Sequence, residues 1–316
     1  MDMLFKKLPL LIVLFCVSCC ASVKEQRGAQ NESQVLKDVK TLSSTEFEGR
    51  RTGTAGAEKA RKFIIERFKN LDLQSFPSFT DYIQSFTLSE KSDSSHIGEN
   101  VIAYIPGKIK EAIVLSAHYD HLGKKGSQLY PGADDNASGV AALLEFAQYF
   151  AKNKPNFTLI FAAFDAEEMG LKGAKAFVAD PPLALERIKL NINMDMIAHN
   201  DTGELYACGT YYYPQLKKYI NSNQSSLKIL LGHDNPSMGH DDWTNQSDQG
   251  AFHAKKIPFL YFGVEDHKDY HQPTDTYENI NQTFYVQAVD GILEIIKTID
   301  SKLSSQIQID KNKVMF

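Results

Sequence analysis

The chain has 316 residues, 43% of them hydrophobic and 23% charged, with a formal net charge of −5. That balance is ordinary for a soluble globular protein, and it offers no basic excess to grip a nucleic-acid backbone. The length suffices for one large α/β domain or two small ones.

Residues 1–20 read as an export signal. Lys6 and Lys7 precede the apolar run Leu8 to Phe15, which is too short to span a bilayer, since that takes roughly 20 residues. Val17-Ser18-Cys19 resembles the end of a bacterial lipobox, although Cys16 stands where a leucine is usual. Lipid attachment is then expected at Cys19 or Cys20, and a plain signal peptide is the alternative. Beyond position 20 only Cys208 remains, so no internal disulfide can form there. The polar stretch 21–33 is expected to be a tether, and 34–316 a single domain. The predicted location is outside the cytoplasm: periplasmic, membrane-anchored through lipid, or secreted.

Helical periodicity predicts a first helix over 33–42 and a second over 57–70, where Ala60, Phe63, Ile64 and Phe68 share a face. Between them lies the Gly-rich stretch 48–56, carrying Arg50 and Arg51. No GK[ST] follows it, so it reads as a loop into the second helix rather than a phosphate cradle. Strands are expected at 83–88 and 100–105, separated by a polar loop through Ser92–Ser95, and Pro106-Gly107 makes a turn.

The apolar run 112–115 predicts a strand buried on both faces. It ends in His118-Tyr119-Asp120, and residues two apart in an extended segment point to the same side, so Asp120 can reach the imidazole of His118. After a polar loop comes Pro131-Gly132-Ala133-Asp134-Asp135-Asn136, and then a helix with Val140, Leu143, Leu144, Ala147 and Phe150 on its apolar stripe. The run 157–164 is another central strand and leads to Asp165-Ala166-Glu167-Glu168. A short helix over 171–178 follows, stopped by Pro181-Pro182. The strand 189–194 ends in Asp195, with Met194 and Met196 as packing neighbours. Weaker strands are expected at 204–208 and 228–231, and helical turns at 213–221 and 248–254. The last buried strand, 257–264, leads to His267 and to Tyr270-His271. A final helix covers 284–301, and the end of the chain is expected to fray.

Four apolar strands thus end in residues that bind metals or protons: His118, Glu167-Glu168, Asp195 and His271. In a parallel α/β sheet such ends converge on one edge. Two histidines with three or four carboxylates suit two borderline divalent ions better than one. Three anionic ligands and a hydroxide would neutralise two Zn²⁺ and leave a fourth carboxylate free to accept a proton. At this level His267 and His271 compete evenly for the last position, and Asp275 either orients His271 or holds the turn after Pro273. Asp134 reads as a residue that fixes its loop. His96, His199, His233, His240 and His253 read as surface or loop residues.

The motifs EGRRTGTAG (48–56), AHYDHLG (117–123), PGADDNASG (131–139), FDAEE (164–168), NMD (193–195), SDQGAF (247–252) and YHQPTDT (270–276) together resemble the M28 family of co-catalytic zinc aminopeptidases, in its bacterial secreted or lipoprotein branch. The resemblance implies an α/β fold with a mixed, mostly parallel central sheet flanked by helices, of the phosphorylase/hydrolase-like kind. It implies two Zn²⁺ per chain sharing a bridging water, with His118 and Asp195 on one ion, Glu168 and His271 on the other, and Asp135 between them. It further implies Glu167 as general base, Asp120 as the residue orienting His118, and Tyr270 near the tetrahedral intermediate. The Tyr-His pair followed by Asp-Thr selects His271 over His267, and the family pattern uses His118 but not His121. Gln249 stands where the family usually has a histidine, so that segment is given no catalytic role. The implied substrates are peptides with a free N-terminus, with no nucleic-acid partner. A glutaminyl cyclase of the same fold is the rival enzyme, and a non-catalytic binding or receptor relative is the rival of another class.

Overall fold

The computed structural model describes residues 33–88, 97–221 and 227–314, the stretch 308–314 by backbone alone. The export signal, most of the tether, the Ser92–Ser95 loop and His96 lie outside the described residues. Among those described, no helix is long and apolar enough to cross a membrane.

The apolar runs of the sequence become the middle of one sheet. Its strands are β1 (Ile83–Thr87), β2 (Ile97–Ile105), β3 (Ala112–His118), β6 (Thr158–Phe164), β7 (Ile188–Met194), β8 (Glu204–Cys208), β9 (Lys228–Leu231) and β10 (Phe259–Gly263), in the order β1-β2-β6-β3-β7-β10-β8-β9. The four central strands β6, β3, β7 and β10 run parallel, while β1, β2 and β8 join through antiparallel pairs. This is the mixed, mostly parallel sheet expected. One hairpin was not anticipated: β4 (Gly123–Lys125) pairs with β5 (Gln128–Tyr130) inside what reads in sequence as a polar loop.

Every residue of β3 and of β6 is buried, because helices cover both faces. Alternation divides their side chains between two layers. Ile113, Leu115, Leu159 and Phe161 pack with α1 (Gln34–Leu42), α2 (Ala55–Asn70), α3 (Gly139–Lys152) and α7 (Gln282–Val314). Val114, Ile160, Ala162 and Phe164 pack instead with Phe177 of α4 (Lys172–Ala179) and Phe252 of α6 (Gln249–Ala254). Each fully buried Leu, Ile or Phe contributes about 1.5–3 kcal/mol, so these layers outweigh the weak strand propensity of the alanines among them. The short α5 (Lys217–Ile220) completes the helices. α7 continues well past the expected end, to Val314.

Candidate metal centre and active site

The parallel strands bring their C-terminal ends to one edge, and the expected residues leave from there. His118 is the last residue of β3, Asp165 to Glu168 follow β6, Asp195 follows β7, and His267 to His271 follow β10. Asp135 arrives from the turn before α3. That turn requires Gly132, at φ 60°, where a Cβ would stand 2.1 Å from the Asp135 carbonyl oxygen and 2.6 Å from the His121 ring.

Asp135 is the hinge of the cluster. Its Oδ1 lies 3.4 Å from His118 Nε2, which in turn is 3.2 Å from Asp195 Oδ1. Its Oδ2 lies 3.1 Å from His271 Nε2 and 3.5 Å from His121 Nδ1. Glu168 closes the second group, with Oε2 3.4 Å from His271 Nε2 and Oε1 2.8 Å from His121 Nδ1. One carboxylate therefore belongs to two donor sets, His118-Asp135-Asp195 and Asp135-Glu168 with His271 or His121.

The backbone around Asp135 is pinned from several directions. Asp275 accepts the N–H groups of Asp134 and Asp135 at 2.9 and 3.1 Å, so it holds this turn and not His271. Asn136 Nδ2 donates to the Met194 carbonyl at 2.9 Å, tying the turn to the end of β7. Asp134 fixes its loop as expected, accepting the Ala198 N–H at 2.6 Å. Its other oxygen lies 3.0 Å from His267 Nε2, which turns that histidine away from the Asp135 cluster.

Asp120 meets His118 with its backbone more closely than with its side chain. The bond to His118 Nδ1 comes from the Asp120 backbone carbonyl at 3.1 Å, while the carboxylate stands 3.6 Å away. The carboxylate instead accepts the Glu167 N–H at 3.0 Å and the Thr52 hydroxyl at 3.3 Å. A strand-end residue offers its carbonyl as well as its side chain, and sequence spacing does not choose between them.

Electrostatics follow from burial and crowding. Burial raises the Glu167 carboxyl well above its usual range, with Asp195 adding to the shift against the opposing pull of His118. Burial also acts on Glu168, but bonds to His121 and His271 outweigh it and hold its pKa down at about 2. Adjacent glutamates are thus driven in opposite directions. Tyr270 stacks on His271 with ring centroids 4.0 Å apart, and burial, then Asp135, raises its phenol, which stays protonated at neutral pH. A cleft lined by Arg51, Thr52, His121, Glu168 and Met169 opens beside these groups.

Three residues of the site were given no role in the sequence reading, His121 having been set aside there as a ligand. His121 is buried against Glu168, and the H-x-x-H spacing with His118 was its only signal. Arg50 is fully buried and donates to four carbonyls, those of Leu42, Tyr119, Pro131 and Gly132. Asp248 is fully buried with neither carboxylate oxygen hydrogen-bonded among the described residues. Burial, reinforced by Asp120 and Asp195 and opposed by His118, raises its pKa to about 8. Gln249 is structural, bonding Asn193 and the Trp243 carbonyl.

The residues fit a metal centre. Asp120, Asp135, Glu167, Glu168, Asp195 and Asp248 crowd a site in which, against the opposing effect of burial, the carboxylates raise the pKa of His118, His121 and His271, and such a concentration of buried carboxylate calls for cations. Imidazole nitrogen with carboxylate oxygen, three donors to a group, is the donor set of catalytic zinc.

The family model for peptidase family M28 matches residues 100–296, well over half of the chain. The chain belongs to peptidase family M28. Among curated relatives, the aminopeptidase YwaD of Bacillus subtilis is 28% identical over 216 residues, covering 65% of this chain and 45% of YwaD. A vacuolar membrane protease of Schizosaccharomyces pombe is 29% identical over 185 residues, covering 56% of this chain and 21% of that protein. The chain therefore spans less than half the length of either. Among solved structures, the zinc aminopeptidase BSAP from Bacillus subtilis aligns with a TM-score of 0.65 at 18% identity, over 85% of this chain and 95% of that one. A glutaminyl cyclase from Bacteroides thetaiotaomicron aligns with a TM-score of 0.64 at 16% identity, over 84% and 96%. At such identities the likeness is one of fold.

Proposed function

We propose that the chain is a zinc-dependent aminopeptidase that removes N-terminal residues from peptides, with two zinc ions held by His118, Asp135 and Asp195 and by Asp135, Glu168 and His271. The observation that carries this reading is the Asp135 carboxylate, whose two oxygens face two separate three-donor groups. Zinc in such a site supplies Lewis acidity for the peptide carbonyl and makes water nucleophilic at neutral pH. The chain's own residues do the rest. His118 is oriented through its Nδ1 by the Asp120 carbonyl, which turns Nε2 towards Asp135 and Asp195. His121, with its proton on Nδ1, donates to Glu168 Oε1 and leaves Oε2 facing His271. Glu167, whose backbone is held by Asp120, keeps its carboxylate out of both donor groups and serves as the general base. It takes a proton from the attacking water and passes it to the departing amine. The protonated Tyr270 phenol is a hydrogen-bond donor for the oxyanion that develops on the carbonyl.

The test is a panel of aminoacyl chromogenic substrates, with an N-acetylated control and an N-terminal glutaminyl peptide, run with and without chelator. Hydrolysis of free-amine substrates alone, abolished by chelator, is expected. Cyclisation of the glutaminyl peptide without hydrolysis of the panel would transfer the chain to the cyclase reading. Within the same assay Glu167→Gln should lower kcat by at least about 10²-fold with metal content unchanged, whereas Glu168→Gln should lose metal. Reversed signatures would exchange the two roles.

A further inference from the structure

Three side chains that play no part in this mechanism converge beside the Tyr270–His271 turn. His199 lies beyond the end of β7, and His267 and Asp269 lie beyond β10. A ring nitrogen or carboxylate oxygen from each lies within 4.8 Å of the others. Each of the two residues after β10 is held from outside. His267 Nε2 is 3.0 Å from Asp134 Oδ2, so a proton there leaves the Nδ1 lone pair as the ring's acceptor, which takes the Asp269 N–H at a long 3.3 Å, a weak bond that an ion would displace. Asp269 Oδ1 accepts the Thr274 hydroxyl at 2.6 Å. Its Oδ2 is turned to His199 Nδ1 at 3.8 Å.

That last distance is too long for a hydrogen bond, and both atoms are buried with no hydrogen-bond partner among the described residues. It suits two donors on one ion, since zinc ligands at about 2.0–2.2 Å from the metal stand roughly 3–4 Å apart. The His199 and His267 rings stack with centroids 3.8 Å apart and planes at 21°, so their in-plane lone pairs run nearly parallel and one ring must turn for both to share an ion.

We propose that His199, His267 and Asp269 form an auxiliary site for a divalent first-row cation, best matched by Zn²⁺, separate from the cluster around Asp135. Two imidazoles and a carboxylate are a borderline donor set of the kind zinc takes. Asp134 and Thr274 are the outer bonds that fix ligand orientation. His199 and His267 are only partly buried, which leaves a path for entry and an open coordination position. An ion here ties the segment following Asp195 to the turn that carries Tyr270 and His271. Its role is to hold those loops in register, with no contact to substrate.

The experiment counts zinc per chain by elemental analysis after saturation and gel filtration, in two matched pairs of full-length protein. One pair is the unmodified chain and His199→Gln; the other is Asp195→Asn and the Asp195→Asn/His199→Gln double variant. The second member of each pair should carry one ion fewer. The difference within a pair, not the total, is the readout, so failure of the catalytic reading changes the totals and leaves this difference intact. Equal zinc within both pairs would overturn the proposal. Amide hydrogen exchange over 267–275 supplies a second readout. It should slow more on adding zinc to the unmodified chain than to His199→Gln, in which His271 alone of this stretch meets zinc, and equal slowing in both would overturn the proposal as well. His267→Gln, which keeps a donor for Asp134, should reproduce His199→Gln.

Discussion

A single buried cation organises the floor of the site. Among the described residues the Arg50 guanidinium has no carboxylate in hydrogen-bond contact. It donates instead to the carbonyls of Leu42, Tyr119, Pro131 and Gly132 at 2.6–2.9 Å, two of which sit one and three residues from His118 and Asp135. Burial lowers its pKa to about 10, and the nearby Asp135, Asp275 and Asp120 keep it from falling further, so it remains charged at neutral pH. Arg50→Met should cost at least about 3 kcal/mol, because four carbonyls lose their donor inside the protein. It should also weaken metal affinity, since the segments holding His118 and Asp135 lose their common anchor. Urea denaturation with a parallel zinc titration measures both, and Arg50→Lys should recover part of each. A change under 1 kcal/mol with unaltered zinc binding would remove this role.

Among the elements, α1 and α2 are joined by an ion pair that works against burial. Asp38 of α1 lies 3.1 Å from Arg67 of α2, yet burial raises its pKa to about 6 in spite of Arg67. A carboxylate whose folded pKa exceeds its unfolded value binds more protons when folded, so stability is present at low pH and lost as pH rises through about 6. The pH-independent variant Asp38→Asn should therefore gain about 1 kcal/mol relative to the unmodified chain between pH 5 and pH 7. Denaturant midpoints at the two pH values give the number, and a relative loss over that interval would contradict the assignment. The strand ends act differently: the parallel register of β3, β6, β7 and β10 delivers four chemically distinct segments to one edge.

For the molecule as a whole, the cost of gathering so many carboxylates appears when metal is withdrawn. In the metal-free chain burial opposes protonation of His271, but bonds to Asp135 and Glu168 prevail and raise its pKa to about 10. Because that exceeds the unfolded value near ~6.5, the stability it brings is complete below ~6.5 and disappears as pH climbs through about 10. Zinc binding runs the other way, since ligands must be deprotonated. Thermal melts from pH 6.5 to pH 9 should show the chelated chain losing stability while the gap to the zinc-loaded chain widens. A gap that narrows with rising pH would argue against metal at these ligands.

Much of this was legible in the residues alone. Continuous apolar runs such as 112–115 and 157–164 mark strands buried on both faces, and local periodicity places α2 and α3, because those patterns depend on neighbours in the chain. Strand ends likewise pointed to His118, Glu167, Glu168, Asp195 and His271, extended-chain spacing to Asp120, and the family resemblance to Asp135 and Tyr270. Contacts over long sequence separations were out of reach. The burial of Arg50 beneath three segments, the approach of His121 to Glu168, the use of Asp275 to hold the Asp134–Asp135 backbone and the meeting of His199 with Asp269 all depend on which strand ends become neighbours. A polar side chain looks the same in sequence whether it faces water or a buried partner. Strand order and register decide that difference, because the long-range packing of both sheet faces sets them.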